Sequence, residues 1–152
     1  TEVVSDTTPQ LGGDLDLNGK CINFGSILTV SGTYVGDIMT TVVDDASTLF
    51  GNVLYQSADF HYDRADTDQV ATSPACFIAL SSGAGTKSVM KRGMLCNGGW
   101  SWNYGKLYLS ETTGAMTQTK PSGSGDQIQV IGWALSATCI FFDPELLVAE
   151  KA

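Results

Sequence analysis

The stretch "QIQVIGWALSATCIFF", residues 127–142, decides the fold class. Its first part, "QIQVIGWAL" (127–135), sets Ile128 and Val130 against Gln127 and Gln129, and "ATCIFF" (137–142) is a short apolar run of strand length. Both read as β-strands. Working outward, "SILTVSGTYV" (26–35), "NVLYQS" (52–57), "ACFIAL" (75–80), "SVMKRGMLC" (88–96) and "KLYLS" (106–110) have the same character. Turn-forming clusters separate them: "SSGAGTK", "NGG", "SETTGA" and "PSGSGD". At least seven short strands divided by turns predict an all-β domain, a β-sandwich or barrel of jelly-roll-like kind. Helix is expected only in "DPELLVAEK" (143–151), with Asp143 as cap and Pro144 in the first turn.

Composition agrees. Seventeen glycines in 152 residues and only 16% charged residues depart from ordinary globular averages in the direction of many turns and few solvated helices. The net charge is −8 and unevenly placed: residues 1–69 carry eleven acids and two bases, residues 70–152 five and six. A field of that sign repels phosphate backbones, so nucleic acid is not expected as a partner. No apolar run approaches the roughly 20 residues of a membrane helix, and no signal-peptide pattern opens the chain. Membrane attachment and secretion are not expected either.

Cys21, Cys76, Cys96 and Cys139 include no CxxC pair and have no nearby histidine to complete a zinc set. Each lies in or beside an apolar stretch. Reduced, mostly buried thiols acting as small hydrophobes are therefore expected, which fits assembly in a cytoplasm.

The N-terminus reads as a separate unit, residues 1–24, before a domain of residues 25–152 that ends in a short tail. Pro9 keeps "TTPQ" extended, and Gly12-Gly13 breaks that course. In "DLDLNGKCINF" (14–24), Asn18-Gly19 is the residue pair of a type I′ turn between two alternating strands. That register puts Leu15, Leu17, Ile22 and Phe24 on one face and Asp14, Asp16 and Asn23 on the other. A lone hairpin is at best marginally stable in water, so its apolar face must rest on its own domain or on a partner.

The run Val3-Val4-Ser5-Asp6-Thr7-Thr8-Pro9-Gln10-Leu11-Gly12-Gly13-Asp14-Leu15-Asp16-Leu17-Asn18-Gly19-Lys20 resembles a segment of virion structural proteins of tailed bacteriophages, where it precedes β-rich fibre or decoration modules. The run "GKLYLSETTGAMTQTKPSGSGDQIQVIGWALSATCIFFDP" (105–144) is similar to a second phage structural module. The resemblance implies an oligomeric β protein of the virion, most simply a trimer, and brings no catalytic residues with it. One arm and one module, instead of a string of modules, resembles a capsid cement or decoration protein. The major capsid protein is then its partner, and the outer head surface its place after assembly in the host cytoplasm. Pro9, Leu11, Leu15, Leu17 and Ile22 would form the docking face of the arm. A tail-fibre or baseplate module that binds a host glycan is the alternative.

Three stretches invite chemistry. In "SADFHYDRADTD" (57–68), Asp59, Asp63, Asp66 and Asp68 surround the sole histidine, His61. Such carboxylates suggest a calcium loop or a glycosidase acid pair. A calcium loop counted from Asp63, however, would need glycine and glutamate where Asp68 and Pro74 stand. A solvated acidic loop is the expectation, with no metal, cofactor or catalytic site assigned. "GAGTKS" (83–88) lacks the spacer of a P-loop and reads as a turn. In "GGWSWNYG" (98–105), Trp100, Trp102 and Tyr104 alternate, so one strand would project all three rings from one face. That row is expected to be a core or subunit interface, with sugar stacking as the second possibility.

Overall fold

The computed structural model describes residues 28–151. Eleven strands follow in order: β1 Tyr34–Val43, β2 Val53–Ala58, β3 His61–Arg64, β4 Phe77–Ala79, β5 Gly85–Cys96, β6 Gly105–Leu109, β7 Met116–Thr117, β8 Gln127–Ile128, β9 Val130–Ala134, β10 Cys139–Phe142 and β11 Ala149–Glu150. One 3-10 turn, Val70–Thr72, lies between β3 and β4. The all-β fold expected from the sequence is what the chain adopts.

Nine strands make one mixed sheet in the order β1-β3-β2-β4-β5-β10-β9-β6-β7, and β1 also pairs with β5. That extra pairing closes β1, β3, β2, β4 and β5 into a ring. The β1–β3 contact is parallel (Val42↔His61, Val43↔Tyr62), while the other four pairings of the ring are antiparallel. Every strand of the ring contributes to one buried cluster: Val43, Leu54, Tyr62, Phe77, Ala79 and Val89. Tyr62 and Phe77 meet edge to face there, with ring centroids 4.9 Å apart, a favoured aromatic geometry.

Strand alternation sends the neighbouring side chains to a second cluster. Val53 beside Leu54 and Ile78 between Phe77 and Ala79 pack with Leu95, Leu107, Ile131, Ile140 and Phe142. The core thus lies between the ring and the wing β5-β10-β9-β6. Within it Gln129 is fully buried: its Oε1 accepts from the Ala75 N–H at 2.8 Å, and its Nε2 donates to the carbonyls of Ala75 (2.7 Å) and Glu145 (2.8 Å). All of its amide atoms are satisfied, as burial of a polar group requires.

Where β1 meets the wing, Gly36 stands opposite Gly93. A Cβ on Gly93 would come 2.3 Å from the Val35 carbonyl oxygen and 2.6 Å from the Gly36 Cα. The two backbones approach too closely for any side chain. One step on, the ladder slips from Asp37↔Arg92 to Ile38↔Met90, so Lys91 is skipped, a bulge in β5 where that strand passes from the wing to the ring.

Three local expectations change. Of the strand read at 26–35, residues 28–33 lie outside any strand and β1 runs from Tyr34 to Val43, because residues 34–43 find β5 as a partner along their whole length. The stretch read as an acidic loop is a hairpin, since β2 and β3 pair as Leu54↔Arg64, Tyr55↔Asp63 and Gln56↔Tyr62 around Asp59-Phe60. No helix forms at 143–151; Ala149 and Glu150 pair instead with Ile128 and Gln127, and the Glu145 carbonyl is held by Gln129.

Candidate functional site

Across the wing, residues directly opposite one another form a continuous row: Val35↔Met94, Met94↔Phe141, Phe141↔Trp133 and Trp133↔Lys106. Their strand neighbours Leu95, Ile140, Ala134 and Leu107 are core residues, so alternation turns this row outward. Trp133 is 47% exposed, and Val35, Met94 and Phe141 are half-buried. Leu135 just beyond β9 and Tyr104 just before β6 are exposed as well. Contiguous apolar surface of this kind marks a site of contact.

Cations frame the row. The Lys106 ammonium stands 5.9 Å from the Trp133 ring centroid, and the Arg92 guanidinium 5.5 Å from that of Phe141. Arg92 opposes Asp37 on β1 and pairs with Asp143 at 3.1 Å. Beside the row, next to the β5 bulge at Lys91, lies a shallow trough of about 770 Å³ lined by Gly36, Asp37, Ile38, Arg92, Gly93 and Phe141. The combination of exposed aromatic surface, two cations and a shallow trough suits binding to a surface. It offers no nucleophile held by a base.

The sequence did not single out this row, and the reason lies in β9. Against β6 the register runs Leu107↔Gly132 and then Tyr108↔Val130, so Ile131 is skipped. Counted by twos from the buried Ile131, Trp133 belongs inside; the bulge puts it outside.

Trp100, Trp102 and Tyr104 do not share a strand face. Residues 97–103 lie outside any strand and open with a turn at 98–99, where the Asn97 side chain accepts from the Gly99 N–H (2.9 Å) and its carbonyl from the Trp100 N–H (3.1 Å). Trp100 and Trp102 pack against the main core with centroids 6.0 Å apart, whereas Tyr104 is 84% exposed. The expected three-ring row is thus divided between a core contact and the solvent. Pro9, Leu11, Leu15, Leu17 and Ile22 lie outside the described residues.

The acidic hairpin is tied to the end of β1 by two polar contacts. His61 Nδ1 lies 2.8 Å from Asp44 Oδ1, and Arg64 Nε donates to Asp45 Oδ2 at 2.6 Å. A backbone hydrogen bond from Ser47, then that from Arg64, holds the Asp45 carboxyl below its ordinary range. Burial, followed by the charges of Asp44 and Asp45, pushes Asp63 up. Among the described residues no three His, Cys, Asp or Glu side chains gather closely enough to hold a metal ion.

The thiol expectation is corrected for two residues. Cys96 and Cys139 oppose each other on β5 and β10, with Cα atoms 4.1 Å apart, and form a disulfide. Direct cross-strand opposition brought them together, which spacing in the sequence does not reveal. Cys76 remains a free thiol, pushed up to about 11 by burial, so it stays protonated and inert at neutral pH. Cys21 lies outside the described residues.

No family model matches the chain, and no curated protein or solved structure matches it either.

Proposed function

We propose that the chain is a non-enzymatic structural protein of a tailed-phage virion, a trimer that decorates the outer face of the head and contacts the major capsid protein. The observation that carries this reading is the exposed wing face. Its row is built from β6, β9 and β10 together with β5 and β1. The first three of these strands fall within the segment 105–144 that resembles a phage structural module. A protein whose work is adhesion needs such a surface, and the acidic first half keeps it away from packaged nucleic acid. The N-terminal arm adds a second contact, and repetition in a trimer multiplies weak contacts through avidity.

The glycan-binding alternative has support from one feature, the solvent-facing Trp133 with Tyr104 nearby, since open rings of this kind stack on sugars. Trp100 and Trp102 no longer contribute a flat platform to it.

The deciding experiment separates heads from tails before proteolytic mass spectrometry. Recovery of the chain in purified heads, with lysines that react with a membrane-impermeant label on intact particles, is the expected result. Recovery in tails alone would replace decoration by the fibre reading.

A further inference from the structure

We infer that the free edge of β1 receives an extended, basic strand from a partner protein, which joins the wing beside Gly36, Ile38 and Thr40. The inference rests on the decoration reading for the partner's identity alone, in which the strand belongs to a coat subunit.

Backbone direction is the starting point. The N–H groups of Val42 and Asp44 point to β3, where they donate to the carbonyls of Phe60 (3.4 Å) and Tyr62 (3.0 Å). The Thr33 carbonyl points the other way and accepts from the Cys96 N–H at the end of β5, at 2.9 Å. Successive residues of a strand turn their backbone groups to alternate edges, and the slip of this ladder skips a residue of β5, not of β1. The N–H and carbonyl groups of Gly36, Ile38 and Thr40 therefore face away from β5. Strand β3 reaches only Val42 and Val43, and no further strand among the described residues pairs with β1. Residues 37–40 are all exposed.

The opposite margin of the sheet is closed. Its last strand, β7, has two residues, and just before β6 the Gln118 side chain accepts from the Asn103 N–H at 2.9 Å and donates to the Asn103 carbonyl at 2.6 Å. Brevity, proline and lysine are the usual guards of a sheet edge against pairing. Strand β1 has none of them in its ten residues. An unguarded edge is a template for strand addition, in which backbone hydrogen bonds give affinity and alternate side chains give selectivity.

Charge and side chains select the strand. Along the edge Ile38 and Met39 are exposed. Asp37 and Asp59, the latter one residue before the Phe60 that bonds to Thr41, are exposed and make no ion pair among the described residues. Over residues 28–69 seven acids meet one base, Arg64, and Asp45 holds that one. A second copy would bring a second set of acids to this edge. The complementary occupant carries Lys or Arg opposite Asp37, alternating with apolar β-branched residues that cover Ile38, and lysine stems also pack along Met39.

The test is amide hydrogen exchange of the full-length protein, read by NMR, with the acetylated and amidated peptide Lys-Val-Lys-Val-Lys-Val-Lys as probe. In the free protein the Ile38 and Thr40 amides should exchange roughly ten-fold faster than those of Asp37 and Met39, and the probe should slow them by a similar factor. A peptide with Glu in place of each Lys should bind roughly ten-fold more weakly. Ile38→Pro removes one outward N–H without taking a donor from the ladder to β5 and should abolish binding. Asp37→Lys with Asp59→Lys is the second variant should the first not fold, and it should reverse the preference between the two peptides. Slow exchange of Ile38 and Thr40 in the free protein overturns the inference, since a second copy or another part of the chain would then hold the edge. Failure of the probe to bind, binding that leaves these amides unprotected, and equal affinity for both peptides overturn it as well. None of these results touches the location of the protein on heads, which fractionation reads separately.

Discussion

Cys96 and Cys139 face each other across the β5–β10 ladder and close a loop of 43 residues that contains β6 to β9. A cross-link over that separation restricts the unfolded chain and stabilises the fold by about 4 kcal/mol in the chain-entropy account. Cys139→Ser should lower the melting midpoint by roughly 8–16 °C in a domain of this size. Differential scanning calorimetry, with and without a reductant, checks this: the reductant should shift wild type and leave the variant in place.

Gln129 is a clamp joining three chain segments through the carbonyls of Ala75 and Glu145 and the N–H of Ala75. Gln129→Leu keeps the volume and strands those groups, at a cost of about 2–4 kcal/mol. Urea unfolding should show a lower midpoint at an unchanged slope. Gln129→Glu should be no better, because a carboxylate there cannot donate to the two carbonyls.

Phe60, at the tip of the β2–β3 hairpin, has φ +59 with its ring 75% exposed. Its carbonyl accepts from Thr41 Oγ1 at 2.8 Å and from the Val42 N–H at 3.4 Å, and these bonds tie the turn to β1. A left-handed backbone costs a side-chain-bearing residue about 1–2 kcal/mol relative to glycine. Phe60→Gly should therefore stabilise the protein, raising the melting midpoint by a few degrees. An unchanged or lower midpoint would mean that the ring itself contributes packing.

Acid should act on the hairpin in two opposed steps. Asp63 has its folded value raised, so the fold takes up a proton more readily than the unfolded chain and gains stability as pH falls through that range. Asp45 has its folded value lowered; its contribution is present above the unfolded carboxylate value of about 3.9 and is lost as pH falls through the folded one. A melting profile against pH should rise slightly below neutrality and then fall. Asp63→Asn should remove the rise, and Asp45→Asn should reduce the fall.

Much of this architecture was legible in advance. "NVLYQS", "SVMKRGMLC", "KLYLS" and "ATCIFF" became β2, β5, β6 and β10 to within three residues at each end, because alternation and β-branching are local properties. What escaped depended on partners. Residues 36–43 are a strand because β5 lies beside them, and the hairpin under His61 forms because Leu54 and Tyr62 fill the ring. The outward turn of Trp133 follows from one skipped residue at Ile131, and a bulge of that kind is set by the opposite strand. Trp100 and Trp102 alternate in sequence, but the Asn97 turn prevails over strand geometry there.

Strand β5 belongs to both halves of the molecule: β1 runs along one edge for its whole length, while β4 and then β10 share the other. Neither half can melt while leaving its companion intact, since loosening either strips hydrogen bonds from the same twelve residues. A protein of this design would remain whole under stress up to a single threshold and then fail all at once.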